Sequence, residues 1–107
     1  RYWSRTIRDP DERIKFILAS YNSGLGHILD AQKLALKYER DATLWKNVEE
    51  FLLKKSIPDY YQDPVVKSGY CKCEEPVNYV SSVLDRYEEY KIHISDIPVK
   101  DPIRKVE

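Results

Sequence analysis

The sequence has 107 residues and contains no methionine. Because a natural reading frame starts with methionine, a chain that begins at Arg1 is expected to be a processed or excised piece of a longer protein. A leader or lipid anchor would then lie outside these residues, so the absence of one within them excludes no compartment.

The chain also lacks an excess of charge of either sign and any long apolar run. Eighteen basic residues balance eighteen acidic ones, and the basic residues are dispersed, so nucleic acid is not an expected partner. No apolar stretch approaches the roughly 20 residues that span a bilayer. A chain of this length and ordinary composition is expected to form one domain over residues 1–107.

Cysteine is scarce, with only Cys71 and Cys73. Neighbouring positions rarely meet the geometry of a disulfide. Two thiols are too few for a structural zinc site, and His27 and His93 lie far away in sequence. The sequence therefore predicts two free, accessible thiols on a loop, with neither metal nor cofactor.

Apolar spacings of three and four residues predict an all-α fold of about four helices. The first begins at Asp9-Pro10, with Glu12 completing a capping-box-like pattern, and ends near residues 22–24. Asp41 is expected to cap the third. Lys54 and Lys55 are expected to close the third helix, where they complement the negative end of its dipole. The predicted apolar stripes of the four helices are, in order, Ile14, Ile17, Leu18 and Tyr21; Ile28, Ala31, Leu34 or Ala35, and Tyr38; Trp45, Val48, Phe51 and Leu52; and Val77, Val80, Leu84 and Tyr87.

A long loop rich in tyrosine is predicted between the third and fourth helices, over residues 57–74. Such a loop in a compact domain is usually functional or mobile. The fourth helix is predicted to open at Glu75-Pro76, and its apolar spacing ends beyond Lys91. Residues 93–107 are expected to form an extended or flexible tail.

Two short strings carry most of the functional information. Residues 19–27 read Ala-Ser-Tyr-Asn-Ser-Gly-Leu-Gly-His, which places a phenol and an amide, Tyr21 and Asn22, at the end of a helix. The string Glu-Pro-Val-Asn-Tyr-Val places Glu75 and Tyr79 one turn apart at the start of another. Both pairs suit a polar, ring-shaped ligand. The plain alternatives are that the tyrosines pack, Asn22 ends a helix and Glu75 complements a helix dipole.

Together these strings resemble the lysozyme-like, goose-type and soluble-lytic-transglycosylase-like peptidoglycan lytic transglycosylases, in particular the membrane-bound lytic murein transglycosylase F-like branch. The resemblance covers about residues 9–91 and implies the C-terminal helical lobe of the lysozyme-like fold. It implies an enzyme that cleaves the β-1,4 bond between N-acetylmuramic acid and N-acetylglucosamine and leaves a 1,6-anhydro end. It also implies a bacterial periplasmic location, outer-membrane association of the parent, and peptidoglycan glycan strands as partner.

The resemblance also assigns roles to individual residues. Tyr21 matches a tyrosine near the catalytic carboxyl, and Asn22 an asparagine that helps hold that carboxyl and the sugar. Glu75 and Tyr79 match residues of the cleft wall near the bond that is cut. These four are the predicted substrate-binding residues, and no metal ligand is implied.

The chain departs from the family pattern where catalysis is concerned. The family's catalytic glutamate lies in a Glu-Ser pair followed by a Gly-Leu-Met-Gln segment, and neither occurs here. The remaining glutamates, Glu12, Glu39, Glu49 and Glu74, are expected to cap helices or lie on solvated faces. The chain is thus expected to supply one cleft wall and no catalytic acid, and to be inactive alone.

The alternative is a non-catalytic helical module that binds glycan or another protein. If the front half of the domain is missing, some apolar residues of the first or last helix should form an exposed patch that favours self-association. The sequence leaves open endo or exo action, stem-peptide preference and the means of anchoring.

Overall fold

The computed structural model describes residues 2–95, with side chains described as far as residue 89. The ordered elements in this part of the chain are all helices, which confirms the predicted all-α class. In chain order they are α1 (Tyr2–Thr6), α2 (Pro10–Ser23), α3 (Leu25–Lys37), α4 (Trp45–Lys54), α5 (Pro58–Tyr61) and α6 (Glu74–Ser95).

The start of α2 agrees with its sequence signal. The Asp9 carboxylate accepts the N–H of Asp11 at 2.9 Å, and Pro10 occupies the first turn, where its missing N–H costs nothing. The helix ends at Gly24, whose φ of 95° suits glycine. The short α1 was not predicted. Its Trp3 is buried and donates its indole N–H to Ser20 Oγ on α2 at 2.9 Å.

The predicted buried face of α2 is wrong. Ile14 and Ile17 are exposed, whereas Phe16 and Ala19 are fully buried. Phe16 packs between two tryptophans, with ring centroids 4.9 Å from Trp3 and 5.4 Å from Trp45. The α2 sequence offers two apolar faces, and this aromatic cluster selects the one that carries the largest ring.

The predictions for α3 and α4 hold closely. These two helices pack against each other, and their buried apolar residues are Ile28, Ala31, Leu34, Ala35, Trp45, Val48, Phe51 and Leu52. Tyr38 lies just beyond α3, partly exposed, with its ring stacked on Phe51 at 5.3 Å.

Two predicted caps are wrong in detail. Asp41 accepts the N–H and the hydroxyl of Thr43, so it shapes the turn before α4, and Leu44 is the residue at the cap position. The Glu12 carboxylate accepts from Lys15 within α2 at 3.0 Å, and no bond to the Asp9 N–H is seen among the described residues. It accepts the first N–H of α4, at Trp45, at 2.7 Å, which satisfies a group that has no partner inside α4.

The segment between α4 and α6 contains the four-residue helix α5, which the loop prediction missed. Helix α6 begins one residue before the predicted Glu75 and continues past Lys91 to Ser95, so residues 93–95 are helical. The rest of the predicted tail, residues 96–107, lies outside the described residues. Among those described, no helix is both long and apolar enough to cross a membrane.

Candidate functional site

Tyr21 and Asn22 lie in the last turn of α2, and both are exposed. The Tyr21 side chain is 84% exposed, more than any other large apolar or aromatic side chain described as exposed. The alternative in which Tyr21 is a core residue is therefore wrong. An exposed phenol beside an exposed amide offers a ring face and hydrogen-bonding groups to a ligand.

Glu75 and Tyr79 lie in the first two turns of α6. Glu75 is exposed and Tyr79 is half-buried. A carboxylate at this position is stabilised by the free N–H groups and the positive end of the helix dipole. Because α2 and α6 pack against each other, the two residue pairs lie on neighbouring helices.

A buried polar cluster anchors the segment that leads into α6. Asp30, on the inner face of α3, is 2% exposed. Its carboxylate accepts the backbone N–H groups of Lys67 and Ser68, both at 2.8 Å, and the Lys55 ammonium at 2.7 Å. Gly26 permits the close approach, since a Cβ there would lie 2.5 Å from Ser68 Oγ. These contacts hold Lys67 and Ser68 against α3.

Lys55 is the centre of that cluster, and it also closes α4 at the C-terminal cap position, as predicted. Its side chain is completely buried, and its ammonium contacts both Asp30 and His27 Nδ1, each at 2.7 Å. Burial lowers the pKa of Lys55, and Asp30 offsets part of that effect. Burial raises the pKa of Asp30, but the hydrogen bonds from Lys55, Lys67 and Ser68 outweigh it and leave the pKa below its usual value.

His27 is half-buried in this cluster. Burial lowers the pKa of His27, the Lys55 charge lowers it further, and Asp30 partly opposes both. An ammonium has only donors. The Nδ1 atom therefore accepts from the charged Lys55, and the proton of the neutral ring lies on Nε2.

The prediction of two free thiols is wrong. Cys71 and Cys73 form a disulfide, with their Cα atoms 5.2 Å apart. The turn before α6 brings the two side chains together, which spacing alone did not indicate. His27 also lies close by, with one ring nitrogen and the two sulfurs within 4.8 Å of one another. Because the sulfurs are bonded to each other, they are not available as thiolate ligands for a metal.

A groove of about 530 Å³ lies between α2, α4 and α6. Lys15, Trp45, Glu49, Val77 and Ser81 are among the residues that line it. Glu49 is half-buried in this groove. The prediction that it lies on a solvated face is therefore wrong. Burial raises the pKa of its carboxyl, and the nearby Lys15 charge opposes part of that rise. The groove thus holds a carboxyl with raised proton affinity.

Curated relatives identify the family. The chain is 38% identical over 85 residues to the membrane-bound lytic murein transglycosylase F of Desulfosudis oleivorans, covering 79% of this chain. It is 38% identical over 78 residues to the protein of that name from Maricaulis maris, and 36% over 90 residues to that from Vibrio campbellii, covering 73% and 84% of this chain. The chain belongs to the membrane-bound lytic murein transglycosylase F family.

The matched region is a small part of these relatives. It spans 18% of the Desulfosudis oleivorans protein and 16% of each of the other two. No family model matches the chain. Membership of the lytic murein transglycosylase F family agrees with the resemblance in the motifs around Tyr21 and Glu75, and with the all-helical fold. The individual roles of Tyr21, Asn22, Glu75 and Tyr79 remain predictions.

Sequence reasoning missed the cluster of Asp30, Lys55, His27 and the disulfide. Its only local signal is a charged residue, Asp30, between two apolar positions on the inner face of α3. A buried aspartate needs partners, and these come from residues 25 and more positions away.

Proposed function

We propose that this chain forms one wall of the glycan-binding cleft of a peptidoglycan lytic transglycosylase. The enzyme would cleave the β-1,4 bond between N-acetylmuramic acid and N-acetylglucosamine and form a 1,6-anhydromuramic acid end. The observation that supports this most strongly is membership of the lytic murein transglycosylase F family over 73–84% of the chain.

We propose Tyr21 and Asn22 as one pair of substrate-binding residues. The exposure of both side chains at the end of α2 supports this role, because a side chain that is already buried against its own core cannot contact a glycan. The amide of Asn22 can donate to and accept from sugar hydroxyls. The Tyr21 ring can pack on the apolar face of a pyranose.

Glu75 and Tyr79 form the second proposed pair. The exposed Glu75 carboxylate can accept hydrogen bonds from sugar hydroxyls, and the helix N-terminus favours its charged form. The chain has no Glu-Ser pair, so the catalytic acid is proposed to come from the front half of the domain. In this reaction a neutral carboxyl protonates the leaving oxygen and then, as a carboxylate, assists attack by the muramyl 6-hydroxyl.

The front half of the domain is also the proposed partner for the apolar surface of α2. Ile14 and Ile17 are 41% and 42% exposed, and Ile14 lines a shallow pocket together with Val83 and Tyr87. Self-association would cover the same surface. The proposed location is the periplasm or cell envelope, with the parent at the outer membrane. The relatives' name and the disulfide support this, since disulfides persist in oxidising compartments.

The first test asks whether the chain cleaves peptidoglycan by itself. Purified protein is incubated with murein sacculi, and anhydromuropeptides are measured by mass spectrometry. We expect none above background, because loss of general acid catalysis removes roughly 10²–10⁴-fold in rate. Release at the rate of an intact family member would contradict the proposal. Glu49→Gln would then show whether the half-buried Glu49 serves as the acid.

The second test concerns Asn22 in the full-length enzyme that contains this chain. Asn22→Ala should lower the rate of anhydromuropeptide release far more than it lowers the melting temperature. The matched control is Asn47→Ala, since the Asn47 side chain, on α4, donates to the backbone carbonyl of Asp41. A variant that melts early but has normal activity per folded molecule would show that Asn22 is structural.

The rival function, a non-catalytic glycan- or protein-binding module, is separated by the same measurements. The rival predicts that the isolated protein binds sacculi in a pull-down. It also predicts that extended forms of the protein, which include more of the parent sequence, do not cleave them. The cleft-wall proposal predicts cleavage once the front half of the domain is present.

A further inference from the structure

The Cys71–Cys73 disulfide contributes little to folding through chain entropy. The two residues are separated by two positions, and the constraint that a disulfide places on an unfolded chain grows with the length of the closed loop. The surrounding fold already holds this segment, because Cys71 N–H donates to the Lys55 carbonyl at 3.2 Å. Stabilisation is therefore a weak account of the bond.

The two sulfurs are not equally accessible. Cys71 is half-buried at the surface of the segment, whereas Cys73 is 1% exposed and belongs to the hydrophobic core. Attack by an incoming thiolate is therefore expected at the Cys71 sulfur and not at that of Cys73. In such an attack Cys73 is the leaving group.

Burial in the core and the acidic Glu74 and Glu75 disfavour a Cys73 thiolate, but two groups beside the sulfur favour one. Cys73 directly precedes the 22-residue helix α6, whose N-terminus carries a partial positive charge. The His27 ring lies within 4.8 Å of both sulfurs, and the Lys55 ammonium contacts that ring. Positive groups and helix N-termini of this kind lower thiol pKa values and make cysteines reactive.

We propose that the Cys71–Cys73 disulfide is a thiol–disulfide exchange site that is opened by a dithiol reductant. One thiolate of the dithiol bonds to the Cys71 sulfur, the bond between the two cysteines breaks, and Cys73 leaves as a thiolate. The second thiol of the reductant then displaces Cys71. The reductant leaves as a disulfide, and its two protons end on the two cysteine sulfurs.

His27 is the positioning residue in this step, and Lys55 holds its ring. The neutral imidazole and the adjacent ammonium together stabilise the departing Cys73 thiolate. The inference does not depend on the proposed function.

The experiment titrates the oxidised protein with dithiothreitol without denaturant. Samples are quenched with acid, alkylated with a maleimide and weighed by mass spectrometry, while circular dichroism follows the fold. Two alkyl groups should appear together at reductant concentrations that leave the helices intact. A bond that opens only when the chain is unfolded would overturn the proposal.

Single-cysteine variants identify the attacked sulfur. Cys73→Ser leaves the Cys71 thiol, which should form a mixed disulfide with glutathione disulfide at least about tenfold faster than the Cys73 thiol of Cys71→Ser, because of its exposure. Equal rates, or faster reaction at Cys73, would contradict the assignment.

His27→Gln tests the positioning role. After division by the thiolate fraction of dithiothreitol, its reduction rate should fall several-fold and lose the rise toward acid pH that protonation of His27 gives the wild type, whereas the exposed control Lys46→Gln should behave as wild type. An unchanged pH profile in His27→Gln would exclude the role. One zinc ion per reduced chain, lost in His27→Gln, would reassign the cluster to a metal site and overturn the exchange proposal.

Discussion

Two ion pairs in this protein have the same N–O distance and very different surroundings. Lys55 and Asp30 are 2.7 Å apart with side chains 0% and 2% exposed, whereas Arg40 and Glu50 are 2.7 Å apart with side chains 43% and 34% exposed. Water already solvates the second pair, so its net contribution is small. The first pair has lost its water, and each member depends on the other.

The two regions also differ in what the charges hold together. The Glu50 carboxylate contacts Arg40 and Lys54, which pack over the Phe51 ring at the surface of α4. Asp30 joins α3, the end of α4 and the segment before α6. The comparison therefore teaches that the position of a charge in the fold, more than its pairing distance, sets its importance.

The largest expected effect is that of Asp30→Ala. The change leaves the Lys55 ammonium buried without its carboxylate and removes the acceptor of two backbone N–H groups. We expect a loss of about 3–5 kcal/mol in the free energy of unfolding, measured by urea denaturation followed by circular dichroism. A loss below about 1 kcal/mol would show that water enters the cluster and that the two regions are alike.

The acid limb of the stability curve should reflect the same carboxylate. The pKa of folded Asp30 lies below its unfolded value of about 3.9. Its contribution is therefore present above about pH 4 and lost as the pH falls through the lowered folded pKa. Urea midpoints at pH 6, 4, 3 and 2 should show wild type and Asp30→Asn converging in acid. The other carboxylates are common to both proteins, so parallel curves would exclude Asp30 as a source of the acid sensitivity.

An intermediate effect is expected for Glu12→Ala. Glu12 is half-buried and accepts the first N–H of α4 from α2, and its removal should cost about 1–2 kcal/mol. Glu12→Gln keeps an acceptor oxygen and should retain most of the stability in the same denaturation experiment. If both variants lose equally, the charge of Glu12 matters more than the cap.

The smallest effect is expected for Glu50→Ala. The ion pairs of Glu50 with Arg40 and Lys54 are solvated. Their loss should lower the free energy of unfolding by about 0–1 kcal/mol, and by less in 1 M salt, where charges are screened. Thermal melts at low and high salt measure this. A cost equal to that of Asp30→Ala would remove the distinction between the two regions.

Helices α2 and α4 show how far the sequence alone carries a prediction of burial. In α4 the apolar residues lie on one side only, so Trp45, Val48, Phe51 and Leu52 were predicted and are buried. Helix α2 has apolar residues on two sides. The choice between them depended on Trp3 and Trp45, which come from other elements, and the prediction selected the wrong side.

The candidate site divides in a similar way. The residue strings around Tyr21 and Glu75 led to a family that the curated relatives confirm, but they assigned roles to individual side chains only through resemblance. The exposed positions of Tyr21 and Asn22 agree with such roles and leave them to be tested. The cluster at Lys55 has no comparable local string, since its members are scattered from His27 to Cys73.

The sequence by itself determined where the main helices lie, because caps and helical spacing act between residues three or four positions apart. It also determined which family the chain belongs to, through the residue strings around Tyr21 and Glu75. Only the tertiary structure decided which face of α2 is buried, that Lys55 lies inside beside Asp30, and that Cys71 and Cys73 are bonded. These outcomes depend on side chains that lie far apart in the chain, or that meet in a turn, and that pack together and exclude water. Once water is excluded, the free energy of a buried charge or thiol depends on the protein groups that surround it.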